Sequence, residues 1–208
     1  MAEMKAETGT VFIVDDEEPV RDSIGLLLRS VGLRSRGYPD ARAFLDAYQP
    51  GQPGCLVLDI RMPRMSGMEL QQELNRRGWG IPLIFITGHG DVPMAVEAMR
   101  AGAVDFLQKP FKDDDLIRRV QKALDQDLRL REQLGALEQI RARYDSLTPR
   151  EREIAERLVA GDANKVIAID LSLSERTVEL HRAHIMQKME ARGIAPLVQL
   201  LLQLKAAG

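Results

Sequence analysis

One cysteine, no apolar run of membrane length and almost no net charge set the first bounds on this chain. Cys55 has no partner for an internal disulfide and lies inside an apolar run, so it reads as a small buried hydrophobe suited to a reducing compartment. No stretch approaches the ~18 to 20 apolar residues that a membrane helix needs, and no apolar segment of signal-peptide length precedes Asp15. A cytoplasmic protein without membrane contact is therefore expected. A formal charge of −2 excludes a polycation that binds nucleic acid over its whole surface, so any such site must be local. Internal repeats and Ser/Pro-rich linkers are also missing.

The 208 residues, 45% apolar and 29% charged, suit two globular modules, each with its own core. Patterning changes near residue 125 from strands alternating with helices to helices alone. We expect one domain over 10–124, a linker helix over 125–147 and a second domain over 148–208.

Four apolar runs in the first part each stop on polar residues. Residues 11–14 end in Asp15-Asp16, 55–58 in Asp59, 83–86 in Thr87, and 104–108 in Lys109-Pro110. Unbroken apolar strands belong to parallel sheets, whose chemistry sits outside the carboxyl ends of the strands. Three carboxylates, a hydroxyl and an ammonium are thus expected in one crevice. Clustered carboxylates need a neutraliser, and hard oxygen donors suit Mg²⁺ or a similar divalent cation such as Mn²⁺. Taken singly, an Asp after a strand is usually a turn or helix cap; the argument rests on the set.

Between these strands, Pro19 opens a helical pattern with Val20, Ile24, Leu27, Leu28 and Val31 on one face, stopped by Gly32. A strand over 33–38, helices over 41–47, 68–74 and 92–100, and a helix starting near Asp113 complete five strands alternating with five helices. That order predicts a doubly wound α/β fold with a five-stranded parallel sheet.

Asp15-Asp16, Asp59, Thr87 and Lys109-Pro110 at this spacing resemble the receiver domain of two-component response regulators. The segment 87–103 is similar to the FixJ-type branch. The resemblance implies a flavodoxin-like receiver in which Asp59 takes a phosphoryl group from a sensor histidine kinase. It implies Mg²⁺ held by Asp16, Asp59 and the Arg61 backbone carbonyl, with Asp15 acting through water. Lys109 would steady the transferring phosphoryl group, and Thr87 and Phe106 would form the switch. Arg61 and His89 flank the site. Such a protein is no turnover enzyme, showing at most intrinsic self-phosphorylation and autodephosphorylation. A haloacid-dehalogenase-like phosphatase is the alternative, but its second Asp, two residues on, is replaced here by Arg61.

From Asp115 to Tyr144 there is no Pro and one Gly. Leu116, Ala123, Leu130, Leu137 and Tyr144 repeat in sevens, with Val120, Asp127, Leu134 and Arg141 in the second phase. A helix of ~30 residues, about 45 Å long at 1.5 Å per residue, is expected.

Thr148-Pro149-Arg150-Glu151 is a helix start. A helix over 163–171 with Val166, Ile167 and Ile169 inward, a short turn, and a helix over 175–189 make a helix-turn-helix; a leucine-rich fourth helix spans 195–205. The motifs Asn164-Lys165, Ser174-Glu175-Arg176-Thr177-Val178 and His181-Arg182-Ala183-His184 resemble the LuxR-type DNA-binding domain. By that resemblance Glu179, Leu180, Arg182 and Ala183 face the major groove, with Lys165, Thr177, His181 and Lys188 nearer the phosphates. Nine Lys/Arg against eight Asp/Glu over 147–208 imply weak binding per copy, which makes dimerisation the natural lever of control, and the resemblance implies a phosphorylation-dependent homodimer on promoter DNA. The resemblance as a whole implies a NarL/FixJ-class regulator, an activator acting with RNA polymerase. The alternative is a helical bundle that binds protein.

Overall fold

The computed structural model describes residues 9–88 and 92–206. His89 lies outside them. The chain divides after Leu130 into two compact units.

In the first unit, β1 (Thr10–Val14), β2 (Ser35–Tyr38), β3 (Gly54–Asp59), β4 (Leu83–Thr87) and β5 (Asp105–Gln108) form one sheet of order β2-β1-β3-β4-β5, with every pair parallel. They alternate with α1 (Glu18–Ser30), α2 (Ala41–Ala47), α3 (Gly67–Arg76), α4 (Val92–Arg100) and α5 (Asp113–Asp145). This is the doubly wound α/β architecture expected from the alternation. Successive strand residues face opposite ways, and the two cores follow. Phe12, Val14, Leu56, Leu58, Leu83 and Phe85 meet α2, α3 and α4, whereas Val11, Ile13, Val57, Ile84 and Ile86 meet α1 and α5. Each fully buried side chain of this kind contributes roughly 1.5–3 kcal/mol.

Two local expectations shift. Val31 caps the carboxyl end of α1 in a non-helical conformation and is exposed, because Leu33 turns back to bond the Leu28 carbonyl; β2 therefore starts at Ser35, after that cap. Asp127, expected in a heptad seam, is instead buried. It continues the inward stripe Leu116, Val120 and Ala123, and its Oδ2 accepts the Gly54 amide at 2.9 Å. Beyond it the seam residues Leu130 and Leu134 are exposed, while Ile140 and Tyr144 join the second core. Residues 125–147 are thus shared between the units.

The second unit adds α6 (Pro149–Ala160), α7 (Asn164–Asp170), α8 (Glu175–Lys188) and α9 (Ile194–Ala206) to the end of α5. Thr148 and Glu151 form a reciprocal capping box at the start of α6, and Ser174 caps α8. Of the three α7 residues expected inward only Ile167 is buried. Val166 and Ile169 are exposed, and Ala168 takes the inward place: Ile167, Ala168 and the half-buried Leu171 fall on one side of the helix, and Val166 and Ile169 on the other.

Glu151 is buried, and its Oε2 accepts from both the Thr148 amide at 2.8 Å and Lys188 Nζ at 2.6 Å. Burial alone would push its pKa up, but Lys188 and Thr148 outweigh it and hold the carboxyl below the usual range. A depressed carboxylate pKa stabilises above the unfolded-state value and is lost as pH falls through the folded one. Glu151→Gln should therefore cost the second unit about 1–3 kcal/mol at pH 7. In thermal unfolding followed by circular dichroism, the gap to wild type should narrow on acidification to pH 4; a constant gap would refute the pairing.

Candidate functional site

The carboxyl ends of β1, β3, β4 and β5 bring Asp15, Asp59, Thr87 and Lys109 to one edge of the sheet. Asp15 and Thr87 are fully buried and Asp59 is 5% exposed. Lys109 Nζ donates to Asp15 Oδ2 at 2.8 Å and to Asp59 Oδ1 at 3.0 Å, so one ammonium holds two carboxylates. Its own backbone is fixed in turn, because the Lys109 amide donates to the Thr87 carbonyl at 2.8 Å.

Backbone geometry orients both acids. The Arg61 amide donates to Asp59 Oδ2 at 2.7 Å, and the Glu17 amide to Asp15 Oδ1 at 2.9 Å. Gly67 opens α3 directly against β3: a Cβ there would lie 2.3 Å from the Asp59 carbonyl oxygen, so only glycine permits the approach. Arg21, unforeseen as a site neighbour, donates from α1 to the Asp15 carbonyl at 2.7 Å. Its spacing in α1 carries no signal for this, since the contact depends on how α1 lies on β1.

Burial is the main reason that the Asp59 pKa is raised; Lys109 and the Arg61 amide oppose it, and the Asp15 charge adds to it. Burial would lower Lys109, yet its bonds to Asp15 and Asp59 leave it raised. Lys109 is therefore a firm cation beside a carboxylate that is poorly solvated and partly neutralised.

Asp16 is exposed at the rim, and among the described residues no three acidic, imidazole or thiol groups converge on one metal position. Two adjacent carboxylates are nevertheless the donor set that suits Mg²⁺, which keeps several waters and takes one or two carboxylates plus phosphate oxygens. The residues present fit such an ion. Phe106, half-buried, pairs in register with Phe85 and packs on the α2–α4 face.

In the second unit, Glu179, Leu180 and Ala183 are exposed on α8, as is Lys165 on α7. Thr177 and His181 are half-buried; the Thr177 hydroxyl is 2.7 Å from that of Ser174, and His181 Nδ1 is buried without a partner. Two residues are engaged internally. Arg182 donates to Asn164 Oδ1 at 2.5 Å, and Lys188 holds Glu151. Asn164 and Glu151, which entered the sequence analysis only as motif and helix-start residues, are thus what hold these two cations.

Residues 11–121 match the family described as response regulator receiver domain, and residues 145–201 that described as bacterial regulatory proteins, luxR family. The transcriptional regulatory protein FixJ of Rhizobium meliloti is 48% identical over 193 residues, covering 93% of this chain and 95% of that protein. FixJ of Azorhizobium caulinodans is 47% identical, covering 94% and 93%. Among solved structures, the response regulator StyR superposes with a TM-score of 0.86 at 44% identity, over 93% of this chain and 98% of that one. Full-length FixJ from B. japonicum gives 0.59 at 42% identity, over 97% and 99%. A receiver with its acidic pocket followed by a LuxR-type helix-turn-helix excludes the dehalogenase alternative, and the chain belongs to the FixJ-like response regulators, phosphorylation-controlled regulators of transcription.

Proposed function

We propose that Asp59 is the residue that carries the phosphoryl group, received from the phosphohistidine of a sensor histidine kinase. The observation that carries this reading is the single Lys109 ammonium bonded to both Asp15 and Asp59. An Asp59 oxygen attacks phosphorus in line; the new O–P bond forms as the P–N bond to histidine breaks, and the imidazole leaves with a proton. Lys109 is placed to follow charge onto the phosphoryl oxygens, and the Arg61 amide keeps the free Asp59 oxygen oriented. Asp59, Asp16 and the Arg61 carbonyl would hold Mg²⁺ or Mn²⁺, with Asp15 through water. When bound, that ion supplies positive charge to the phosphate oxygens.

Once phosphorylated, the Thr87 hydroxyl turns to a phosphoryl oxygen and Phe106 follows into the vacated space. The face of α4 and β5 then favours a second copy, and the homodimer engages two DNA half-sites. Lys165, Thr177, Glu179, Leu180, His181, Ala183 and Lys188 are the proposed DNA-contacting set, and Arg182 sets α8 in place through Asn164. A cytoplasmic activator acting with RNA polymerase fits this reading, as the FixJ relatives are named transcriptional regulatory proteins. The receiver turns over no external substrate beyond self-phosphorylation and autodephosphorylation.

Three outcomes test it. On a Phos-tag gel, Asp59→Asn should take up no phosphoryl group from acetyl phosphate while its circular dichroism stays that of the wild type; uptake by the variant would sink the assignment. Chelation by EDTA should stop wild-type uptake and excess Mg²⁺ restore it. Lys109→Gln should slow uptake by roughly 10²- to 10³-fold, the scale for losing one preorganised charge-stabilising donor; an unchanged rate would remove Lys109 from the chemistry.

A further inference from the structure

The exposed row of α8 carries a different arginine from the one its motif suggests. On α8, Val178, Ile185 and Met189 are buried in the core of the second unit. Opposite them, at steps of four, three and four residues, runs the row Arg176, Leu180, Ala183 and Gln187, all exposed, with Leu180 57% exposed. Arg182, four residues after Val178, shares the inward side, which is why its guanidinium lies against Asn164 at the start of α7.

Charge accounting separates the cations further. Arg150 bonds Glu153 and the Leu171 carbonyl, Arg157 bonds Asp162 and Asp170, Arg152 pairs with Asp145, and Lys188 pairs with Glu151. With Arg182 also engaged, four of the nine Lys/Arg over 147–208 have no ion pair or hydrogen bond among the described residues: Lys165, Arg176, Arg192 and Lys205. Arg176 alone of these stands on α8.

Its place is unfavourable for folding. It is the second residue of α8, where the helix dipole disfavours a cation, and its guanidinium forms no ion pair with an acid among the described residues. Positions that break a local rule without structural return are where function is to be sought. The amino-terminal residues of such a helix meet base edges in the major groove, and a free guanidinium fork matches guanine O6 and N7.

We infer that Arg176, and not Arg182, is the arginine that reads a base, a guanine, while Leu180 and Ala183 behind it contact thymine methyl groups. Arg182 with Asn164 is a brace that sets α8 against α7. This rests on the DNA-binding reading of the second unit.

The test uses full-length protein phosphorylated by acetyl phosphate with Mg²⁺. Wild type first selects duplexes from a random-sequence pool, and affinity is then measured for a selected duplex and an unrelated one of equal length. Arg176→Ala should weaken the selected duplex roughly 10- to 100-fold and leave the unrelated one within about three-fold. Arg176→Lys should keep the unrelated affinity but not the preference, because an ammonium lacks the fork. Arg182→Ala should weaken both duplexes alike. Equal weakening of both by Arg176→Ala, with a salt slope lower by about one, would make Arg176 a phosphate contact and overturn the inference. So would loss of preference in Arg182→Ala alone, or no effect of Arg176→Ala. A wild type that enriches no sequence would overturn the DNA reading itself.

Discussion

Two carboxylates buried beside one another can exist ionised only if a cation sits between them, and in this protein Lys109 is that cation. Everything about the receiver follows from meeting this condition. Parallel strands must carry Asp15, Asp59, Thr87 and Lys109 to the same edge, and the order β2-β1-β3-β4-β5 does so by placing β3 between β1 and β4 with β5 outside. Close helix packing is then needed to hold the loops, hence glycine at position 67 against the Asp59 carbonyl. The arrangement is charged and poorly solvated, so a change of charge at Asp59 is felt by the whole edge. The half-buried Phe106 lies next along the sheet from Phe85, on the face that meets α2, α3 and α4.

The second unit solves a different electrostatic problem. Its helices are short, and ion pairs tie up four of the nine Lys/Arg over 147–208: among them Glu151 with Lys188 links α6 to α8, and Arg157 with Asp162 and Asp170 links α6 to α7. A domain that spends its basic residues internally has few left for phosphates.

Legibility from the sequence was uneven for physical reasons. The strands of the receiver were readable because both faces are buried, which leaves unbroken apolar runs, and the helix starts at Thr148 and Ser174 because caps need particular side chains. Helix faces were harder. Val166 and Ile169 are apolar yet exposed, and Arg182 is charged yet turned inward, since a helix of seven or fourteen residues has too few core positions to impose a clear period. Asp127 fitted a heptad by spacing and a strand-edge hydrogen bond in fact, because only the tertiary fold brings Gly54 to it.

The order of elements, the parallel sheet and the residues at its carboxyl edge were determined by the chain itself, through local preferences and periodic burial that need no distant partner. Which side chains pair was decided only in three dimensions. Lys109 with Asp15 and Asp59, Lys188 with Glu151, Arg182 with Asn164, and the release of Arg176 from any such bond all join or separate residues far apart in sequence, and hydrogen bonds of about 3 Å depend on backbone placement that no spacing rule contains.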